Sequence, residues 1–351
     1  MKKFIAVSLA SAMALSLAAC GGSSSTAATT AAAAPAATQA AAAETKAEAA
    51  APAAGAVALT VAYADAEDSV FGKGVAAFSS KLEELSGGTM TCTVYPNGTL
   101  GSISEVAAMI QQGTCDVSPI VTSSLVDFCP DLGVFDLPFL FTGYDDARTV
   151  INGAVGDKLA GEMENVGMHV GSWMTMGFRE TTSSKPINAV ADFKGLKIRT
   201  QSNEVHQAIF NSLGASATVI SFSELYTAME QKTVDAQENP YVNIANNAYY
   251  EVQDYLVETN HVFQYAALLV SAQKYNSLTD EQKAWVDEAA AAAADAEWDA
   301  TMTDNETAKQ TCIDKGMTFV TLDHDELLAA TSGVYDQYKD KYGELLGLMG
   351  K

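Results

Sequence analysis

Arginine is scarce in this chain: of its 20 basic residues, all but Arg148, Arg179 and Arg199 are lysine. Arg179 and Arg199 each lie beside a short apolar stretch, Met176-Gly177-Phe178 and Leu196-Lys197-Ile198. A guanidinium is planar and permanently charged, and its donors form a fixed fork that fits a carboxylate. Two such forks in an acidic chain point to a place that holds one small anion. The run Gln237-Glu238-Asn239-Pro240 adds to the set. Asn239 can donate to a carboxylate or hydroxyl, and Pro240 suits the first residue of a helix. Glu238 is out of place beside an anion and is expected to turn away, toward a structural basic partner.

The formal net charge is −23. That balance argues against nucleic acid and against anionic membrane surfaces as partners. It also disfavours long-range attraction of anions, so an anionic ligand needs a local cationic site. Enzyme signatures are missing: there is no G-x-S-x-G, HExxH, GxxxxGK[ST], or GxGxxG after a strand. The histidines, His169, His206, His261 and His324, are scattered, and no metal or cofactor is expected. His324 reads as a solvated helix start, because neighbouring residues on a helix cannot all face one ion. Asp65, Glu67 and Asp68 follow a strand and precede a helix, and read as charge at the helix N-terminus, with ligand contact as the alternative.

The elements that must position these residues begin after two non-globular pieces. Residues 1–19 read as a secretory signal: Lys2 and Lys3, an apolar run, then small residues. The run ends in Leu17-Ala18-Ala19-Cys20-Gly21, which resembles a bacterial lipobox and makes Cys20 the expected lipidation site. Residues 21–56 are rich in Ala, Ser and Thr and hold almost no large apolar side chain, so they read as a flexible tether. As a random coil that tether reaches roughly 30–35 Å.

The remainder, from residue 57, is long enough for two domains. Its first part alternates strand (57–63), helix (71–86), strand (89–95), helix (103–112) and strand (115–121), a β-α-β order that implies a parallel-biased sheet with helices on its faces. Residues 134–141 read as an irregular core-packing loop because Pro138 interrupts them. Strands are expected at 168–176 and, separately, near 179–184, and a second alternating unit follows to 271. Residues 278–316 form one helical pattern opened by a capping box at Thr279-Asp280-Glu281-Gln282. At about 55 Å it would exceed one domain and so span both. A strand (317–321) and two helices (323–330 and 333–346) close the chain. Cys92, Cys115, Cys129 and Cys312 have no CxxC spacing, and their pairing is left open between free thiols and bridges.

With these residues in view, Gly177-Phe-Arg-Glu-Thr-Thr-Ser-Ser-Lys-Pro-Ile187 and Asp192-Phe-Lys-Gly-Leu-Lys-Ile-Arg199 resemble the substrate-binding proteins of TRAP transporters, the DctP family. Ser221-Phe-Ser-Glu-Leu-Tyr226, Val234-Asp-Ala-Gln-Glu-Asn-Pro240, Asp116 and Phe135-Asp-Leu-Pro-Phe139 fit the same pattern, in the same order. The resemblance implies an α/β, two-lobed, periplasmic-binding-protein-like (type II) fold with an interlobe cleft. Lobe I would take 57–176 plus about 265–304, and lobe II 177–264 plus about 305–351. It implies a non-catalytic monomer that closes on a small organic acid, a C4-dicarboxylate or sugar acid. The acid would pass to integral membrane permease subunits driven by an ion gradient. By position, Arg199 would salt-bridge the ligand carboxylate, Arg179 and Asn239 would add contacts, Phe222 would pack on the ligand and Ser202 would line the pocket. Tyr63, Glu105, Val121 and Trp173 are the candidates from the other lobe. Where some relatives have a polar or acidic side chain after the third strand, this chain has Ile120-Val121-Thr122, which argues against a polyhydroxylated sialic acid and is compatible with a smaller or less hydroxylated acid. Two other readings remain at this stage: a ligand-presenting sensor for a membrane receptor, and an exported enzyme without a recognised motif.

Overall fold

The computed structural model describes residues 56–351. The expected signal, Cys20 and tether lie outside the described residues. The chain opens with β1 (Val57–Ala62), α1 (Val70–Leu85), β2 (Met90–Tyr95), α2 (Ile103–Gln112) and β3 (Val117–Val121). Local chemistry fixes the helix starts. The Ser69 hydroxyl accepts from the Gly72 amide at the head of α1, and Ser102 with Glu105 forms a capping box on α2. After a 3-10 turn at Pro130–Asp136 come α3 (Tyr144–Ile151) and α4 (Ala154–Asn165), with a break at Gly153. Next are β4 (Met168–Ser183), β5 (Lys197–Thr200), α5 (Glu204–Ser212), β6 (Ser216–Val219), α6 (Leu225–Glu230), β7 (Ala236–Pro240) and α7 (Tyr241–Asn246). The chain ends with β8 (Tyr255–Glu258), β9 (Phe263–Ser271), α8 (Ala272–Ser277), α9 (Asp280–Asp314), β10 (Thr318–Thr321) and α10 (His324–Met349).

The strands run in the order β2-β1-β3-β9-β4-β7-β5-β6, with β8 also beside β4 and β10 beside β8. β1 pairs in parallel with β2 and β3, and β5 in parallel with β6 and β7. β4 joins the two halves. Its residues from Met168 to Phe178 pair with β9, and from Arg179 to Ser183 they pair with β7. β9 shows why the sheet is buried on both faces. Tyr265, Ala267 and Leu269 enter one apolar core, while Ala266, Leu268 and Val270 enter the other. Alternate side chains of a strand point to opposite faces, so a run of nine buried residues serves two cores.

α9 packs against α1, β4 and α7, and therefore against both halves of the sheet. Its 35 residues span about 52 Å. The helix buries Ala289, Ala290 and Ala293 where it approaches closely, and Trp298 where it must fill space.

Two expectations are corrected. β4 is one strand of 16 residues, not two. Gly177 adopts φ +81 at a register shift, so the glycine that reads as a break instead lets the strand change partners without ending. The closing helices are also one: α10 runs through Gly333, and packing of Leu327, Thr331, Val334 and Tyr338 carries it past the weak residue. Cys92, Cys115, Cys129 and Cys312 are all free thiols.

Candidate functional site

Strand ends and helix starts from both halves of the sheet converge on a cavity of about 850 Å3. Tyr63 and Asp65 follow β1, Val121 ends β3, and Arg199 with Ser202 comes from the end of β5. Phe222 stands on the turn after β6, Asn239 lies on β7, and Asn243 is on the first turn of α7. Ligands of open α/β sheets sit at such carboxyl ends of parallel strands. A second concavity, between α5 and α10, gathers Glu204, Gln207, Asn211 and Tyr338 but no cation.

The two arginines differ sharply in what they bind. Arg179 donates Nε to the Glu238 carboxylate, Nη1 to Gln264 Oε1 at 2.8 Å, and Nη2 to the Glu238 carbonyl at 2.6 Å and to Asn239 Oδ1 at 3.2 Å. Each of its three nitrogens is engaged by the protein. Arg199 is 3% exposed, and its Nε donates to the Ile220 carbonyl at 2.8 Å. Among the described residues its Nη1 and Nη2 have no hydrogen-bond partner and no carboxylate forms an ion pair with it. Burial lowers the Arg199 pKa to about 10, which leaves the group charged at neutral pH. A buried cation whose free donors open on a cavity is a site for an anion.

Glu238 is the centre of a buried network. It also meets His261 Nε2 at 3.2 Å and His206 Nδ1 at 3.4 Å. His206 Nε2 lies 3.0 Å from Asp136, which also accepts from Asn203 Nδ2 at 2.7 Å. Burial pushes the Glu238 carboxyl up, but Arg179 and His206 outweigh it and hold the group well below the usual carboxylate range. Burial also works against the charged form of both histidines. The Glu238 and Asp136 carboxylates on either side of His206 raise its pKa nonetheless, whereas burial prevails at His261 and lowers it. Glu238 does have a structural basic partner, as its sequence context implied, but that partner is Arg179, one of the two expected anchors.

Of the expected site residues, Arg199, Arg179, Asn239, Phe222, Ser202, Tyr63, Glu105 and Val121 line the cavity. Trp173 does not. It lies edge-on to Phe135 with ring centroids 6.4 Å apart, and its carbonyl accepts from Trp298 Nε1 at 3.2 Å. It belongs to the packing between β4 and α9. Glu105 reaches the cavity wall with its carboxylate already used, accepting from the Ser102 amide and hydroxyl, each at 2.8 Å. Asn239 is likewise tied to its own strand, donating Nδ2 to Gln237 Oε1 at 2.6 Å.

Several lining residues were not singled out from sequence: Asn243, Asn246, Asn247, Tyr249 and Asp127. A signal existed for the first three, since Asn243, Asn246 and Asn247 recur at i, i+3 and i+4. Asp65 is a correction. The first turn of α1 contains no acidic residue, and Asp65 precedes the cap and faces the cavity instead. Burial raises its carboxyl to about 6. Among the described residues no group of three or more His, Cys, Asp or Glu is arranged to hold a metal ion. None of the described helices is long and apolar enough to cross a membrane.

Comparison with known proteins agrees with this geometry. The profile of "Bacterial extracellular solute-binding protein, family 7" (DctP) matches residues 61–344. The C4-dicarboxylate-binding periplasmic protein DctP of Rhodobacter capsulatus is 31% identical over 83% of this chain and 88% of its own length. A TRAP periplasmic solute-binding protein from Polaromonas sp. JS666, solved bound to D-erythronate, superposes with a TM-score of 0.81 at 31% identity, covering 84% of this chain and 98% of that one. The sugar acid binding protein DctPAm of Advenella mimigardefordensis, in complex with galactonate, gives 0.82 at 30%, covering 84% and 97%. The α/β sheet, the cavity at its strand ends and these matches together make the chain a member of the DctP family, the two-lobed extracytoplasmic solute-binding proteins of TRAP transporters.

Proposed function

We propose that this chain is a non-catalytic receptor that captures a small organic acid, a C4-dicarboxylate or sugar acid, and delivers it to an ion-gradient-driven TRAP permease. The observation that carries the reading is the Arg199 guanidinium, buried at the cavity with both terminal nitrogens unclaimed by protein among the described residues. The acid's carboxylate takes those donors in a bidentate pair. Arg179 serves differently, holding Asn239 and Gln264 in place around the anchor. Phe222 covers the ligand and Ser202 and Tyr63 contact its polar edge. D-Erythronate and galactonate in relatives of similar fold, and the C4-dicarboxylate named for another, support this ligand range.

In this reading the first lobe comprises 57–176 plus about 265–304, and the second 177–264 plus about 305–351. The protein works as a monomer tied to the membrane by lipid on Cys20. Isothermal titration of the purified full chain against aldonates, uronates and C4-dicarboxylates tests the proposal. One class should bind, and Arg199→Ala should abolish that binding. Equal affinity in the variant, or turnover of the bound acid, would sink it.

A further inference from the structure

The charges around the cavity do not balance for a dicarboxylate. Two cations line it, Arg179 and Arg199, and no lysine does. Arg179 is matched by Glu238, so one positive charge is open to a ligand. The acidic lining residues are Asp65, Glu105 and Asp127. Glu105 is occupied as a helix cap, and Asp127 is exposed to solvent, whereas Asp65 is half-buried. The Asp65 carboxylate has no hydrogen bond or ion pair with another residue among those described. Tyr249, 1% exposed, is within electrostatic range of both Arg199 and Asp65. The open cation and the open carboxylate both line this one cavity.

We propose that this cavity selects a hydroxylated monocarboxylate over a dicarboxylate, with Asp65 as the residue that sets the choice. The inference rests on the Arg199 anchor and specifies what the rest of the ligand must be. One carboxylate satisfies Arg199. The remainder of the acid meets Asp65 and the amides of Asn97, Asn243 and Asn246, which suit hydroxyl groups. An ionised carboxylate accepts and cannot donate, so a hydroxyl is its natural partner and a second carboxylate is repelled. The upward shift of Asp65 to about 6 still leaves it mainly ionised at neutral pH. Val121 and Ile120 supply no acceptor at the end of β3, and the acceptor comes from the loop after β1 instead.

The test is titration of the purified full chain at pH 7.5 with D-galactonate and D-erythronate, against succinate and L-malate. The expected result is a preference for the aldonates on the order of 100-fold, the scale of an unpaired like-charge contact. Asp65→Asn should cut that preference at least tenfold, chiefly by admitting succinate. Succinate binding as tightly as the aldonates to wild type, with Arg199→Ala still abolishing it, would overturn the selection and leave the anchor standing. Binding by no acid, or binding indifferent to Arg199→Ala, would overturn both. An unchanged preference in folded Asp65→Asn would overturn the role of Asp65, and Asp65→Ser supplies the same comparison if the first variant does not fold.

Discussion

Arg179 and Arg199 face the same cavity, yet Arg179 is ion-paired with Glu238 while Arg199 forms no ion pair among the described residues. Removing them should therefore have opposite effects on the empty protein. Arg179→Met leaves Glu238 as a buried carboxylate with its main counter-charge gone, and should cost about 3–5 kcal/mol of stability. Arg199→Met removes a desolvated charge that no protein carboxylate pairs with directly, Glu238 acting on it only at longer range, and should leave urea stability unchanged or higher. Binding of the acid should nevertheless weaken by about 2–5 kcal/mol. Equal destabilisation by the two variants would show that Arg199 is structural.

Stability should fall as pH rises from about 4.5 to about 8. Burial raises both Glu180 and Glu297 to about 8. A carboxyl raised in the folded state binds its proton there while the unfolded chain has lost it. The stabilisation is complete below the unfolded value and is lost progressively up to the folded one. Each group should contribute a slope of about 1.4 kcal/mol per pH unit. Geometry supports a protonated Glu297: the Thr301 hydroxyl, with one proton, lies 2.9 Å from its carboxylate and 3.2 Å from the Thr175 carbonyl. His206, raised from its usual value, acts in the same direction above pH 6.5, while His261, lowered, opposes it below pH 6.5. Denaturant melts of Glu297→Gln across this range should show a shallower slope, and an unchanged slope would refute the assignment.

Gly177→Ala should be costly for two reasons that a control separates. Its φ is +81, and a Cβ there would fall 2.2 Å from Tyr144 Oη and 2.8 Å from Asn305 Nδ2. Gly88, at φ +82, has nothing within 4 Å. Gly88→Ala should lose about 1–2 kcal/mol from backbone strain alone. Gly177→Ala should lose a further 1–3 kcal/mol, roughly the cost of overpacking. Equal losses would mean that Tyr144 and Asn305 move aside freely.

The thiols should be silent while the protein is folded. Burial pushes Cys115 up to about 11, and Cys129 and Cys312 up to about 12. The thiolate is the reactive form. Native protein should therefore react slowly at these three positions with an aromatic disulfide reagent, and quickly after denaturation. Reductant should leave the melting temperature unchanged.

Much of the fold is legible because local rules coincide with the final structure. Thr279-x-x-Gln282 announces α9 and caps it as expected, whereas the same signature at Ser102-x-x-Glu105 caps α2 with a residue that the family resemblance gives to the ligand. Gly177 and Gly333 mislead because propensity alone cannot register what packs around them. In β4 the glycine permits a change of partner, and in α10 buried neighbours outweigh it. The arginines are legible by scarcity, but their division of labour depends on Glu238, Gln264 and Asn239 meeting in space. Trp173 shows the limit most clearly. It is six residues from Arg179 on one strand, and still its ring packs away from the cavity against Phe135.

β4 runs unbroken through both halves of the sheet, and α9 lies across the same junction. Any rotation of one half against the other must twist a hydrogen-bonded strand while it bends a helix of 35 residues. Such a joint behaves as a spring with a rest position, not as a loose pivot. The ladder of β4 is already irregular at the register shifts between Val170 and Ser172 and between Thr175 and Gly177, where a twist would disturb the fewest regular hydrogen bonds. If the two halves close on a ligand, its affinity includes that elastic work, and substitutions at those shifts should retune it without touching the ligand.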